Sequence, residues 1–143
     1  MKGRKGFTLI EVLIVIVVIA ILAAIVVPRL LGAGREAREA SLRAHLQELR
    51  NALGLFQAQC GDYPAALTDL MATTCPAAGA AGVVLNPADF RGPYMTTPSG
   101  ELPNNPITGA NVVGTDWLYA NPASGAVSAA AGTAVDGTDY STW

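Results

Sequence analysis

Gly6-Phe7-Thr8-Leu9-Ile10-Glu11 leads directly into sixteen apolar residues, 12–27, that contain neither a charge nor a polar side chain. Residues 7–27 form a helix of ~31 Å at ~1.5 Å per residue, enough to cross the hydrocarbon core of a bilayer. Lys2, Arg4 and Lys5 stand immediately before it. The positive-inside bias then puts the N-terminus in the cytoplasm and the rest of the chain outside. Glu11 is out of place in such a segment. A carboxylate at membrane depth costs ~2.5 kcal/mol or more unless it finds a partner, and is a functional candidate for that reason.

The rest of the chain is consistent with a membrane-bound head and a small body. With 143 residues it has room for one domain. Charged residues make up 14% of it, against ~25% in an ordinary soluble domain. The hydrophobic fraction is 51%, and its concentration in the head argues against a free-standing soluble protein. Residues 1–50 carry +8 − 4 = +4, and residues 51–143 carry +1 − 7 = −6. An acidic body repels phosphate, which argues against a nucleic-acid grip by that part.

Beyond the apolar run, Pro28 lacks a donor and clashes with the preceding turn, while Gly32 and Gly34 each weaken a helix by about 1 kcal/mol relative to Ala. A kink or local melting is expected there. Leu42, Leu46, Leu49, Leu53 and Phe56 then recur at steps of four and three, one stripe of an amphipathic helix. Glu39 and Arg43 stand in the favourable i, i+4 order. Gly61 and Pro64 stop the pattern. The pattern therefore predicts a helix over about 7–60, residues 7–27 in the membrane and 28–60 amphipathic, followed by a small globular region over 61–143.

Eight of the nine prolines lie in that last region. A short helix is expected from Ala65 to Thr73, and a hairpin with strands 117–120 and 126–128 around a turn at 121–125. The region is too small and loop-rich to bury a good core alone. Its sheet should pack on the Leu42–Phe56 stripe, giving an α+β fold.

Chemistry-bearing residues are few. Neither a nucleophile–base pair, a phosphate loop nor a carboxylate dyad is present, so an enzyme is not indicated. His45 has no companion at metal-ligand spacing, which argues against zinc. Cys60 and Cys75 are fourteen residues apart. They would form a disulfide outside the cell or stay as thiols in the cytosol.

The basic head, Gly6, Phe7-Thr8-Leu9, Glu11, the apolar run and Pro28 together resemble the N-terminal signal of type IV pilins and pseudopilins. An ordinary secretory signal over residues 1–24, or a plain single-span anchor, leaves Glu11 unexplained. The resemblance implies a pilin-like fold, one long N-terminal helix packed against a small antiparallel sheet. It implies that residues 1–6 are a leader, that a prepilin peptidase cuts between Gly6 and Phe7, and that Phe7 becomes N-methylated. Glu11 would compensate the freed amine of a neighbouring subunit during assembly. The stretch around Pro28, Gly32 and Gly34 can lose helical structure in such filaments. The partners implied are further copies, other pilins or pseudopilins, and an inner-membrane assembly platform. The subunit would wait in the bacterial inner membrane as a single-pass protein, then join a periplasmic pseudopilus or an extracellular pilus.

Gly61-Asp62-Tyr63-Pro64, Gly92-Pro93-Tyr94-Met95, Leu102-Pro103 and Trp117-Leu118-Tyr119 look like the globular part of the major pseudopilin of type II secretion. The chain departs from that pattern at Asn105-Pro106-Ile107-Thr108-Gly109. The same resemblance implies calcium in a C-terminal loop, for which Asp136 and Asp139, with Asp116, are the nearby acids. Asp-Gly-Thr-Asp is also a common turn spacing and hard cations need six or more oxygens, so two solvated acids and no cofactor is the preferred reading. A Cys60–Cys75 bridge would be a further departure, since pilins often bridge their C-terminal region. Arg35, Arg38, Arg43 and Arg50 are interleaved with Glu36, Glu39 and Glu48 and are expected to face other subunits, not nucleic acid. The reading from another class is a membrane-tethered periplasmic binding domain that never polymerises.

Overall fold

The computed structural model describes residues 6–130 and 132–143, and no side chain is described at residues 29–31. The basic residues 2, 4 and 5 expected in the leader lie outside the described residues. Two units divide the chain, Met1–Ala37 and Arg38–Trp143.

In the first unit, the apolar run is helical and holds neither glycine nor proline. It belongs to α1, Leu9–Cys60, which contains Pro28. The large apolar side chains from Val12 to Val27 are each between 48 and 58% exposed. A helix that is apolar on all faces belongs in a membrane or a protein core. This is a helix long and apolar enough to span a membrane. In the single chain α1 is continuous through Pro28, Gly32 and Gly34. Proline deletes one hydrogen bond, and two glycines weaken the helix by about 1 kcal/mol each. Cooperative helix on either side outweighs those losses.

In the second unit, the stripe of α1 forms the floor of the core. Leu42, Leu46, Leu49, Leu53 and Phe56 are all at most 1% exposed. They pack with Leu67, Leu70, Met95, Leu102, Trp117, Val127 and Tyr140 from the rest of the unit. Gly61, at φ 81°, turns the chain out of the helix, with its N–H donating to the Gln57 carbonyl at 2.9 Å. Only a residue without a Cβ adopts that conformation at little strain.

The short helix predicted over 65–73 forms as a 3-10 helix, Leu67–Met71. Leu67 and Leu70, three apart, are both buried, which is the 3-10 period. The Asp69 carboxylate accepts from the Ala66 N–H at 3.0 Å and fastens its start. The Leu70 carbonyl accepts from the N–H groups of Tyr94 and Met95, at 2.8 and 3.1 Å, and so anchors the segment after the cis peptide Gly92–Pro93.

The hairpin forms where the pattern placed it, with each strand one residue longer. β1, Trp117–Asn121, pairs antiparallel with β2, Ala126–Ala129, with Trp117 opposite Ala129 and Leu118 opposite Ser128. The turn holds a 3-10 helix, Pro122–Ser124, closed by Gly125 at φ 66°. Trp117 is fully buried, its indole N–H donating to the Pro103 carbonyl at 2.8 Å. The departure at Asn105 has a structural explanation. Its buried side chain donates to the Asp116 carbonyl at 3.0 Å and accepts from the Ile107 N–H at 2.9 Å.

Tyr119 links the hairpin to the start of the region, its hydroxyl donating to the Pro64 carbonyl at 2.9 Å. Burial, with smaller contributions from Tyr63, Asp62 and Asp69, pushes that phenol up to about 12. A raised folded-state value makes the contribution of the neutral phenol complete below pH ~10 and lost as pH climbs towards 12. Thermal unfolding of the full chain in detergent should therefore show a stability loss between those limits. Tyr119→Phe should cost about 1 kcal/mol at neutral pH and shrink the alkaline loss. An unchanged alkaline profile in that variant would refute the assignment.

Candidate functional site

The head of α1 is finished by its own side chains. Thr8 precedes the first helical residue, Leu9, and Glu11 stands three residues beyond Thr8. The Glu11 Oε2 accepts from the Thr8 N–H at 2.8 Å and from the Thr8 hydroxyl at 2.7 Å. The Glu11 N–H in turn donates to Thr8 Oγ1 at 3.4 Å. This reciprocal bracket is a capping box. It satisfies donors that the start of a helix leaves unpaired and places a negative group at the positive end of the helix dipole. Glu11 thus has a partner inside its own chain. The Thr-x-x-Glu spacing in the sequence was the available signal.

Around this bracket the surface is apolar. Phe7, Val12, Ile14 and Val15 line a shallow hollow with Glu11. Phe7 is 87% exposed, and Gly6 has no atom within 4 Å of where a Cβ would stand. A residue so uncluttered leaves its backbone open to close approach. Both Thr8 bonds fall on Oε2, so among the described residues Oε1 is left for a donor from elsewhere.

Cys60 and Cys75 stand as separate, half-buried thiols. Cys60 Sγ lies 3.6 Å from the Tyr94 hydroxyl, and Cys75 Sγ donates to the Pro76 carbonyl at 3.3 Å. Desolvation, and then the neighbouring Cys60, push the Cys75 thiol above its ordinary range. Tyr94 packs against Phe56 and Phe90, with ring centroids at 5.1 and 5.4 Å.

The three acids considered for calcium do not converge. Asp116 is buried and its Oδ2 accepts from the Val112 N–H at 2.9 Å. Asp136 Oδ1 accepts from the N–H and hydroxyl of Thr138, at 2.9 and 2.6 Å, while its Oδ2 lies 3.6 Å from the Arg43 guanidinium. Asp139 Oδ1 accepts from the Ser141 N–H at 2.8 Å. The hydrogen bonds from Thr138 and Ser141 hold the Asp136 and Asp139 carboxyls below the usual carboxylate value. Among the described residues, no group of three or more His, Cys, Asp or Glu is placed to hold a metal.

Arg43 and Arg50 turn towards the last residues of the sequence. Both ends of the predicted Glu39–Arg43 pair are drawn there, since Glu39 Oε1 accepts from the Tyr140 hydroxyl at 2.9 Å. Sequence reasoning missed this because the partners lie about a hundred positions away, beyond any periodic signal.

Residues 1–27 match the family model described as a prokaryotic N-terminal methylation motif. The chain is similar to a type IV wide pilus major component of Thermus thermophilus, 41% identical over 80 residues, 54% of this chain and 61% of the relative. It is similar to the type II secretion system core protein G of Aeromonas hydrophila, 39% identical over 63 residues, 44% of each chain. A core protein G of Xanthomonas campestris is 27% identical over 103 residues, 72% of each. The first two matches thus span less than two thirds of those relatives' lengths. No solved structure matches the chain.

If the capping box fastens the first turn, Thr8→Val in detergent micelles should speed hydrogen exchange at amides 10–12 roughly fivefold, the effect of ~1 kcal/mol. Amides of β1 and β2 should be unaffected. Equal exchange in both proteins would remove the box from the account.

Proposed function

We propose that this chain is a structural subunit of a type IV filament and not a catalyst. The observation that carries the reading is the apolar first half of α1, unpartnered and headed by the Thr8–Glu11 bracket. Such a surface is stable in a bilayer or against copies of itself. The methylation motif and the pilus and secretion relatives support the same role. Those relatives include a pilus component and type II secretion system core proteins, and the role proposed is compatible with both.

In this reading residues 1–6 are a leader and a prepilin peptidase cuts between Gly6 and Phe7. Phe7 is then N-methylated. The membrane holds the subunit with its N-terminus in the cytoplasm and the globular region outside. An inner-membrane platform passes it into a filament with copies of itself and with other pilins or pseudopilins. There Glu11, already oriented by Thr8, takes the freed amine of a neighbour. Outside the cell Cys60 and Cys75 would close a disulfide, which shortens the unfolded chain's excursions and is worth about 3 kcal/mol in the chain-entropy picture.

Glu11→Ala should be cut normally yet reduce filament yield about tenfold or more, since a hydrogen bond to a charged group contributes ~1.5–3 kcal/mol. Normal yield would defeat the charge-compensation step. A chain that stays a mobile monomer after cells are sheared would favour the tethered periplasmic domain instead. Mass mapping of native material under non-reducing conditions should find a chain beginning at methylated Phe7 with Cys60 joined to Cys75. A different first residue would defeat the processing step, and free thiols the bridge.

A further inference from the structure

We propose that residues 132–143 are strapped to α1 by the helix's own charged side chains in place of a divalent cation, so that closure of the globular unit is independent of calcium and yields to salt. The inference concerns residues 38–143 and does not depend on the filament reading.

Glu39, Arg43 and Arg50 are spaced by four and seven, which puts them on one face of α1. Each reaches the same segment. Glu39, buried in the core wall, accepts at Oε1 from the Val135 N–H and the Tyr140 hydroxyl, both at 2.9 Å. The Arg43 guanidinium lies 4.0 Å from the centre of the Trp143 ring and 3.6 Å from Asp136 Oδ2. Arg50 donates to the Val127 carbonyl at 3.1 Å and to the Trp143 main-chain oxygen. One arginine therefore holds both β2 and the end of the strap. The strap is braced within itself, with Trp143 Nε1 donating to Thr138 Oγ1 at 2.9 Å and the Tyr140 and Trp143 rings meeting edge to face at 5.0 Å.

A calcium ion does not fit this arrangement. It requires six to eight oxygens, and the oxygens of Asp136 are directed to Thr138 and to Arg43. A divalent ion at Asp136 would sit against a guanidinium of like sign. Arg43 already supplies the positive charge that the acidic turn needs. Exposed pairs such as Arg43–Asp136 are weak and screened by salt, whereas the buried acceptor Glu39 is much less so. The arginine contacts are the part that salt loosens.

Hydrogen exchange of the full chain in detergent micelles tests this. Amides of residues 132–143 should exchange roughly fivefold faster in Arg43→Gln, with β1 and β2 unchanged, and also faster in wild type at about 0.5 M salt. About 1 mM calcium chloride, or a chelator, should leave wild-type exchange and Tm unaltered. The proposal falls if calcium slows exchange or raises Tm. It also falls if neither Arg43→Gln nor salt alters the segment. The calcium arm uses only wild-type protein, so it holds even if the variant folds poorly.

Discussion

Sixteen consecutive apolar residues cannot stay in water, and the rest of the molecule is arranged around that constraint. The segment forms a helix because a backbone in lipid must satisfy its own hydrogen bonds. As a helix it presents aliphatic surface on every side. Half-exposed side chains from Val12 to Val27 are what such a rod shows when nothing covers it. Lipid and apolar protein surface are two coverings of similar chemistry, and either would satisfy this half of the chain.

The second half of α1 works by a different rule. Its leucines lie on one side, and the loop-rich region from Gly61 onward packs on them. A two-stranded hairpin alone is marginal in water. Here Trp117 and Val127 reach the helical stripe, and Tyr119, Asn105 and Leu70 carry the polar bonds that join loops lacking a sheet of their own. The globular unit is stable as a helix plus wrappings, and each wrapping is fixed at a few named atoms.

What was legible in the sequence was local. The apolar run, the leucine stripe, the stop at Gly61 and the hairpin around Pro122 and Gly125 each announce themselves within sixteen residues or fewer, through spacing or turn chemistry. The Thr8–Glu11 box is equally local, carried by the Thr-x-x-Glu spacing at the head of the helix. One departure was a matter of degree: a five-residue segment with its leucines three apart winds as 3-10. The roles of Glu39, Arg43 and Arg50 were beyond reach, because their partners, Val135 to Trp143, meet them only after the chain has folded back.

Every atom of the bracket at the head of α1 lies downstream of Gly6. Trimming ahead of Phe7 would therefore remove nothing that the first turn relies on. The rod's tip keeps its shape while its charge changes, and a newly exposed ammonium would appear beside a carboxylate that threonine already holds in place. Maturation of this kind alters the chemistry of an end without asking the backbone to refold.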